Sequence, residues 1–151
     1  MNIPFTDLQS EYQQCKWEID EAIQHCLDKN SFITDPDVDE FEQVFSDYTG
    51  SEDCVSCASG TAALLLALRA CGIGARDEVI TVSYTFVSTV EAICNVGAKP
   101  VFVDVNKHGL ININQIESAI TKRTKAVVWV DLYGQSPDIN RIIKLCKAHG
   151  L

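Results

Sequence analysis

Hydrophobic positions in the first fifty residues recur at intervals of three and four. This spacing places them on one side of an α-helix, because one helical turn takes about 3.6 residues. The first predicted helix has Asp7 as its N-cap, and its apolar positions are Leu8, Tyr12, Cys15, Ile19, Ile23 and Cys26. A second helix is predicted from the turn Asp35-Pro36 to Gly50. Its buried positions are expected to be Val38, Phe41, Phe45 and Tyr48. Residues 1–50 are thus predicted to form a helical N-terminal arm.

From about residue 53 the pattern changes to apolar strands that alternate with helices. The predicted strands lie at about 53–58, 78–83, 100–105 and 125–130. The predicted helices lie at about 61–71, 86–96, 114–121 and 137–148. Strands without a polar face, separated by helices, indicate a parallel sheet that is covered on both sides. Residues 51–151 are therefore predicted to be an α/β domain, and with no linker before it the chain 1–151 is treated as one structural unit.

The last predicted helix ends at His149-Gly150, a typical C-cap, so a further strand would begin at Leu151. A crossover helix without a following strand leaves one position of the sheet unfilled. Either the sheet closes differently, or the sequence is the front part of a longer protein. We favour the longer protein.

Composition narrows the class of protein. The 46% hydrophobic and 22% charged residues are typical of a globular domain. A net charge of −9 with twelve scattered Lys and Arg provides no basic face for a nucleic acid. The sequence has no apolar run of membrane-spanning length, and its start lacks a signal-peptide pattern. We therefore expect a cytoplasmic protein whose seven cysteines are reduced thiols.

The cysteine pair Cys54-Val55-Ser56-Cys57 has the C-x-x-C spacing of redox and zinc sites. A redox pair needs its first sulfur at a helix N-terminus, and a zinc site needs a second pair or matching histidines. Neither context is present, and the histidines His25, His108 and His149 have no ligand spacing. We expect both thiols to be small buried hydrophobic residues, and no metal site.

Candidate chemistry begins at Ser59-Gly60-Thr61, where the first predicted strand turns into a helix. The first N–H groups of a helix lack partners within it, and the macrodipole adds partial positive charge, so the turn can bind an anion. Gly60 lets a phosphate approach the backbone, and Thr61 can add a hydroxyl. Ser, Gly and Thr also begin ordinary helices, which remains the alternative.

Ligands of open parallel sheets bind beyond the carboxyl ends of the strands. Four predicted loops lie there: 59–61, 83–86, 104–109 and 131–135. Phe86 places an aromatic ring at a helix start, and a phosphate seat beside such a ring suits a flat phosphorylated cofactor. The alternative is that Phe86 is a core residue.

Six blocks of sequence, in matching order and spacing, resemble the DegT/DnrJ/StrS family of pyridoxal-phosphate sugar aminotransferases. The blocks are Phe41-Glu42 with Tyr48-Thr49-Gly50, 58–64, 77–89, 97–105, 124–127 and 132–135. The resemblance runs from about residue 3 to the last residue and implies part of an aspartate-aminotransferase-like large domain, the type I fold of enzymes that use pyridoxal phosphate (PLP). It also implies a homodimer that moves an amino group, usually from glutamate, to a nucleotide-linked keto sugar. Such enzymes serve amino-sugar, cell-surface polysaccharide or lipopolysaccharide biosynthesis.

The same resemblance assigns roles to individual residues. Gly60, Thr61 and Ala62 match the backbone seat of the cofactor phosphate, and Phe86 matches the aromatic that lies against the pyridine ring. The bordering residues of the site are Ser59, Tyr133 and Gln135. The family's pattern is not kept at Asp131, where histidine or asparagine is common, and an unpaired aspartate would repel an anionic substrate.

No catalytic residue is assigned, because the family's acidic partner of the pyridine nitrogen and its cofactor-binding lysine would both follow residue 151. None of the lysines present lies in the family's lysine motif. We therefore expect the chain alone to be inactive. Two alternatives stay open: a dehydratase of the same family, with histidine in place of the lysine, and a non-catalytic remnant or binding module that pairs with a full-length relative through the arm.

Overall fold

The structure is a computed structural model that describes residues 5–33 and 36–151. The chain divides into two compact units, Met1–Ser56 and Cys57–Leu151. The first unit holds helices α1 (Leu8–Lys29) and α2 (Pro36–Thr49). The predicted N-cap of α1 is confirmed, because Asp7 Oδ1 accepts a hydrogen bond of 3.1 Å from the Ser10 N–H. The predicted cap of α2, Asp35, lies outside the described residues, and Pro36 is the first residue of that helix.

The predicted burial of the α2 side chains is wrong. Val38, Phe41, Phe45 and Tyr48 are all exposed, and Ser46 is the buried residue that α2 contributes. Two helices alone cannot enclose a core, since each buries its apolar stripe only against a second layer. Helical periodicity correctly identified which face is apolar. It carries no information about what covers that face.

The second unit alternates helices and strands as the sequence predicts. In chain order its elements are α3 (Gly60–Ala70), β1 (Glu78–Val82), α4 (Ser88–Asn95), β2 (Lys99–Val103), α5 (Ile113–Ala119), β3 (Thr124–Val127), a single 3-10 turn (Leu132–Gly134) and α6 (Ile139–His149). The strands form a parallel sheet in the order β2-β1-β3. The predicted α/β fold with a parallel sheet is therefore confirmed. Gly150, in the left-handed conformation at φ 70°, ends α6 as expected.

The strand predicted at 53–58 is absent from the structure. A strand exists only through its ladder of backbone hydrogen bonds to a neighbour. Here the Ser56 N–H instead donates to the Glu42 carboxylate at 2.6 Å, and the Val55 side chain is exposed. The burial predicted for the cysteine pair fails with the strand, because Cys57 is exposed and Cys54 is half-buried.

Strand β1 lies in the middle of the sheet, and its side chains enter two cores. Val79 packs with Leu68 of α3 and Ile93 of α4 on one face. Ile80 and Val82 belong to the core on the other face, whose buried members also include Val103, Ile111, Ile116 and Ile142. Successive residues of a strand point to opposite faces, so this division follows directly from an unbroken apolar strand. The expectation that helices cover both faces is confirmed.

A buried carboxylate joins the amino ends of two strands. The side chain of Glu78, the first residue of β1, is 4% exposed. It accepts hydrogen bonds from Thr121 Oγ1 at 2.6 Å and from Arg123 Nε at 3.1 Å. The Thr121 hydroxyl and then the Arg123 guanidinium hold the pKa of Glu78 below its ordinary value of 4.5. The ionised form is therefore the one that stabilises the fold.

We predict that Glu78→Gln reduces stability at neutral pH and weakens its dependence on pH. Because the pKa of Glu78 is lowered by folding, its contribution is fully present above pH 4.5 and is lost as the pH falls below that value. Urea unfolding midpoints measured from pH 7 to pH 3 should therefore decline less in Glu78→Gln than in the unmodified chain. Glu91→Gln, at an exposed position of α4, is the matched control and should follow the unmodified chain. Parallel declines in all three proteins would contradict the prediction.

Candidate functional site

The candidate site lies at the carboxyl ends of the strands, where α3 also begins. A seven-residue connection, 71–77, joins the end of α3 to the start of β1. Near that end of α3, Leu68 packs in one core with Val79 at the start of β1. An eleven-residue helix and a five-residue strand both span about 16 Å. The N-terminus of α3 therefore lies at the same edge of the sheet as the loop after β1.

The N-terminus of α3 presents two backbone donors. Ser59 is its N-cap: the Ser59 Oγ accepts from the Ala62 N–H at 3.1 Å, and its carbonyl accepts from the Ala63 N–H at 2.9 Å. Among the described residues, no group accepts a hydrogen bond from the N–H of Gly60 or Thr61. Of the three residues predicted to form the phosphate seat, two keep a free N–H, while Ala62 is engaged by the cap.

The side of Gly60 from which a Cβ would project is open. A Cβ added to Gly60 would meet no atom within 4 Å, and the φ angle of Gly60 is outside the left-handed region. Glycine is thus not needed here for backbone conformation. The first turn of α3 has no acidic residue that would oppose the partial positive charge of the helix end. Free donors, open space and the absence of a nearby carboxylate in the first turn fit the phosphate of a cofactor.

Phe86 is a surface residue, and the alternative that it belongs to the core is wrong. Its side chain is 72% exposed, two residues before α4 begins. The backbone beneath it is held, because the Phe86 carbonyl accepts from the Thr89 N–H at 3.3 Å. The hydroxyls of Thr85 and Thr89 also lie 3.0 Å apart. An anchored backbone with an exposed ring can stack on a flat ligand without first rearranging a core.

One contact at this edge was not foreseen from the sequence. Gly109, at φ 76°, lies against Tyr84, so that an added Cβ would be 3.2 Å from Tyr84 Cε1. The glycine belongs to a turn in which Asn106 Oδ1 accepts from the N–H of His108 at 2.8 Å and of Leu110 at 3.3 Å. The Asn106-x-x-Gly109 spacing is typical of such a turn, so the turn could have been predicted from the sequence. The turn supports the loop that carries Phe86.

The fourth predicted loop places its side chains outward. Tyr133 has a left-handed backbone, φ 57°, and its side chain is 91% exposed. Gln135 is exposed as well. In the described part of the chain no aromatic contact joins Tyr133 to Phe86. The carboxylate of Asp131 accepts from the Ser136 hydroxyl at 3.0 Å, so this departure from the family pattern has a partner.

Other kinds of site find no support in residues 5–33 and 36–151. No group of three or more His, Cys, Asp or Glu side chains there is arranged to hold a metal ion. The Nε2 atom of His149 instead lies 3.4 Å from Oε1 of Glu117. None of the helices within those two ranges is both long enough and apolar enough to cross a membrane.

Several similar proteins are named as aminotransferases of nucleotide-linked sugars. The UDP-2-acetamido-2-deoxy-3-oxo-D-glucuronate aminotransferase of Pseudomonas aeruginosa is 40% identical over 150 residues, which are 99% of this chain and 42% of that protein. The UDP-N-acetyl-3-dehydro-alpha-D-glucosamine 3-aminotransferase of Acidithiobacillus ferrooxidans is 45% identical over 99% of this chain and 41% of its own length. The chain thus spans about two fifths of the curated relatives it matches.

The structure of this chain also superposes on solved structures. S. venezuelae DesV, in complex with a ketimine intermediate, superposes with a TM-score of 0.95 at 38% identity, over 99% of this chain and 40% of that one. NtdA from Bacillus subtilis, with bound cofactor PMP, gives a TM-score of 0.89 at 30% identity over 99% of this chain and 35% of that one. The sequence profile of the DegT/DnrJ/EryC1/StrS aminotransferase family matches residues 13–151, and this chain belongs to that family.

Proposed function

We propose that this chain is the part of a PLP-dependent sugar aminotransferase that binds the phosphate of the cofactor and one face of its ring. The observation that carries the proposal is the N-terminus of α3, where the N–H groups of Gly60 and Thr61 have no acceptor among the described residues and Gly60 has open space at its Cβ position. Phe86, with its exposed ring, is the second element at the same edge. The membership of the chain in the family supports the choice of cofactor.

Each residue has a defined task in this proposal. The N–H groups of Gly60 and Thr61 donate to phosphate oxygens, and the dipole of α3 favours the negative charge. Ser59 keeps the helix end in place through its bond to the Ala62 N–H. Phe86 covers one face of the pyridine ring and excludes water from it. When bound, the cofactor supplies an electron sink for chemistry at the amino-bearing carbon.

The substrate follows from the relatives. Those described above are named for transfer of an amino group to UDP-linked keto sugars, and others for dTDP-linked sugars. We propose a nucleotide-linked keto sugar as acceptor and glutamate as amino donor, in amino-sugar, polysaccharide or lipopolysaccharide biosynthesis. Tyr133 and Gln135 border the site in this proposal. We further propose a homodimer in the cytoplasm, where the seven free cysteines would remain reduced.

We propose that the groups needed for turnover are absent from this chain. A lysine that binds the cofactor and an acid that pairs with the pyridine nitrogen are required for an effective electron sink and for proton transfer. The relatives are about two and a half times as long as the part that this chain matches, so they have room for both groups elsewhere. The chain would then act only together with such a segment.

Sequencing the gene beyond codon 151 tests the reaction class. We expect a continuing reading frame that encodes an acidic strand and then a lysine in the family's lysine motif. A histidine at the position of that lysine would replace the aminotransferase with a dehydratase. A stop codon directly after codon 151 would contradict an aminotransferase and favour a binding module.

A further inference from the structure

A cationic depression lies at the opposite edge of the sheet from the candidate cofactor site. Three basic side chains, Arg76, Lys99 and Arg123, line it together with Glu78, and its volume is about 390 Å³. In the sheet Glu78 is the register partner of both Lys99 and Thr124, so these residues mark the amino ends of three parallel strands. These three residues are far apart along the chain, because Arg76 precedes β1, Lys99 begins β2 and Arg123 precedes β3, so no local pattern in the sequence connects them.

The depression is separate from the N-terminus of α3. Strand β1 runs five residues from Glu78 to Val82, which corresponds to about 16 Å. Gly60, Thr61 and Phe86 lie at the carboxyl edge, beyond that length. A ligand bound among the three basic residues therefore uses none of the residues assigned to the cofactor.

The charges in the depression do not cancel. Three cations and one carboxylate leave a net charge of +2, in a chain whose total is −9. Glu78 is occupied by Thr121 and Arg123, while Lys99 Nζ is 4.0 Å from Glu78 Oε1 and its side chain is 70% exposed. No ion pair involves Arg76 in the described residues.

One further acid, Asp77, lies beside the depression but outside its lining. The carboxylate of Asp77 is the nearest along the chain, between Arg76 and Glu78. It accepts from the Gly74 N–H at 2.9 Å and does not line the depression. Within the lining, Glu78 is thus the one carboxylate, and its side chain is buried. The exposed surface offered to a ligand is that of the cations.

The backbone of Arg76 gives independent evidence that its side chain matters. Arg76 has φ 78°, a left-handed conformation that costs a non-glycine residue roughly 1 kcal/mol and that glycine or asparagine adopts more readily. A turn alone would be better served by either of those residues. The chain carries a guanidinium there instead.

We propose that Arg76, Lys99 and Arg123 form a binding site for a phosphate dianion, separate from the cofactor. The charge of −2 matches the surplus of the depression. The Arg76 guanidinium can bind phosphate oxygens through two parallel N–H bonds, and Lys99 adds a flexible donor. Arg123, whose Nε and one terminal nitrogen donate to Glu78, contributes its remaining N–H groups. The phosphate belongs either to free inorganic phosphate or to a nucleotide, and both present the same group to the site.

The first test is a titration of the ¹⁵N-labelled 151-residue chain with sodium phosphate, followed by amide chemical shifts. We expect saturable shifts at Arg76, Lys99 and Arg123, which sodium chloride at equal ionic strength does not reproduce. Shifts confined to Gly60 and Thr61 would overturn the proposal and leave the proposed function intact. Shifts at Arg76, Lys99 and Arg123 with no response at Gly60 and Thr61 would instead support this site and count against the proposed function.

Substitutions then test the individual cations. Arg76→Asn keeps a residue that tolerates the left-handed backbone, and Lys99→Gln keeps the length of the side chain. Each should weaken phosphate binding about ten-fold, as expected for one charge-assisted contact. Lys122→Gln is the matched control, because it removes one charge next to Arg123 but lies outside the depression, and it should bind normally. Equal weakening in Lys122→Gln would show a general field effect and overturn the site.

A comparison of probes identifies the source of the phosphate. Uridine monophosphate and inorganic phosphate should shift the same three amides, and uridine should shift none. Equal affinity for the first two indicates free phosphate, and at least ten-fold tighter binding of uridine monophosphate indicates a nucleotide. Binding of uridine with the affinity of its monophosphate would contradict phosphate recognition.

Discussion

The 151-residue chain, supplied with PLP, glutamate and a keto-sugar nucleotide, will transfer no amino group. Turnover requires a lysine beside the cofactor, and most lysines of the second unit lie away from the carboxyl ends of the strands. Lys99 begins β2, Lys125 lies on β3, and Lys144 and Lys147 belong to α6. Lys107 lies in the loop after β2, at the carboxyl ends of the strands. The other described loops at that edge, 59–61, 83–86 and 131–135, contain no lysine. The side chain of Lys107 is exposed and makes no hydrogen bond or ion pair with the described residues.

Borohydride reduction, which fixes adducts between lysine and PLP, provides the measurement. We expect low-level labelling spread over several exposed lysines, as mass spectrometry of peptides would show. Lys107→Arg should leave the total labelling nearly unchanged, because that lysine has no special environment. One equivalent of label at a single lysine, together with turnover of the sugar, would refute the proposal that the catalytic lysine is absent.

Gly60→Val should weaken binding of pyridoxamine phosphate about one hundred-fold. An added Cβ at Gly60 meets no protein atom within 4 Å, so the substituted chain should fold normally. The valine would instead fill the space in front of the two free N–H groups. Loss of two charge-assisted hydrogen bonds corresponds to roughly 3 kcal/mol, which is about a hundred-fold in affinity. Phe86→Ala should weaken binding about ten-fold through lost stacking.

Two control variants separate the site from general effects. Phe102→Ala removes a half-exposed aromatic from β2 and should keep its affinity for the cofactor. Cys57→Ala should also keep its affinity, although the Cys57 Sγ lies 3.4 Å from the Ser59 carbonyl, because we assign this thiol no chemistry. Affinities are compared by amide shifts in folded samples. Unchanged affinity in Phe86→Ala, or loss of binding in a stable Cys57→Ala, would show that the site is misplaced.

Local signals in the sequence predicted most of the second unit. Caps and periodicity are properties of adjacent residues, so Gly150 and the apolar strand 78–83 could be recognised without knowledge of the fold. The strand predicted at 53–58 failed because pairing depends on a neighbour that the sequence does not identify. The burial predicted for the apolar side chains of α2 was wrong for the same reason. Its apolar residues indicate a covered face, and the cover is not encoded in the helix.

In the candidate site, too, features that depend on neighbouring residues could be predicted, whereas contacts between distant residues could not. Ser59-Gly60-Thr61 was identified from capping chemistry, which acts over three residues. The position of Phe86 in a loop at the carboxyl ends of the strands suggested a cofactor role, and the family resemblance then favoured that role over a place in the core. The packing of Tyr84 on Gly109 spans 25 positions, and the bond from Arg123 to Glu78 spans 45. Such contacts arise from the order of strands in the sheet, which the alternation of helices and strands leaves open.

The central claim is that the N-terminus of α3 holds the phosphate of the cofactor. Titration of the ¹⁵N-labelled chain with pyridoxamine phosphate tests it directly, because this form carries an amine and cannot form an imine with lysine. We expect saturable shifts of the Gly60 and Thr61 amides, together with broadening or shifts of the Phe86 ring signals. Pyridoxamine without the phosphate should leave the two amides unchanged. Identical responses to the two compounds, or none at Gly60 and Thr61, would contradict the account.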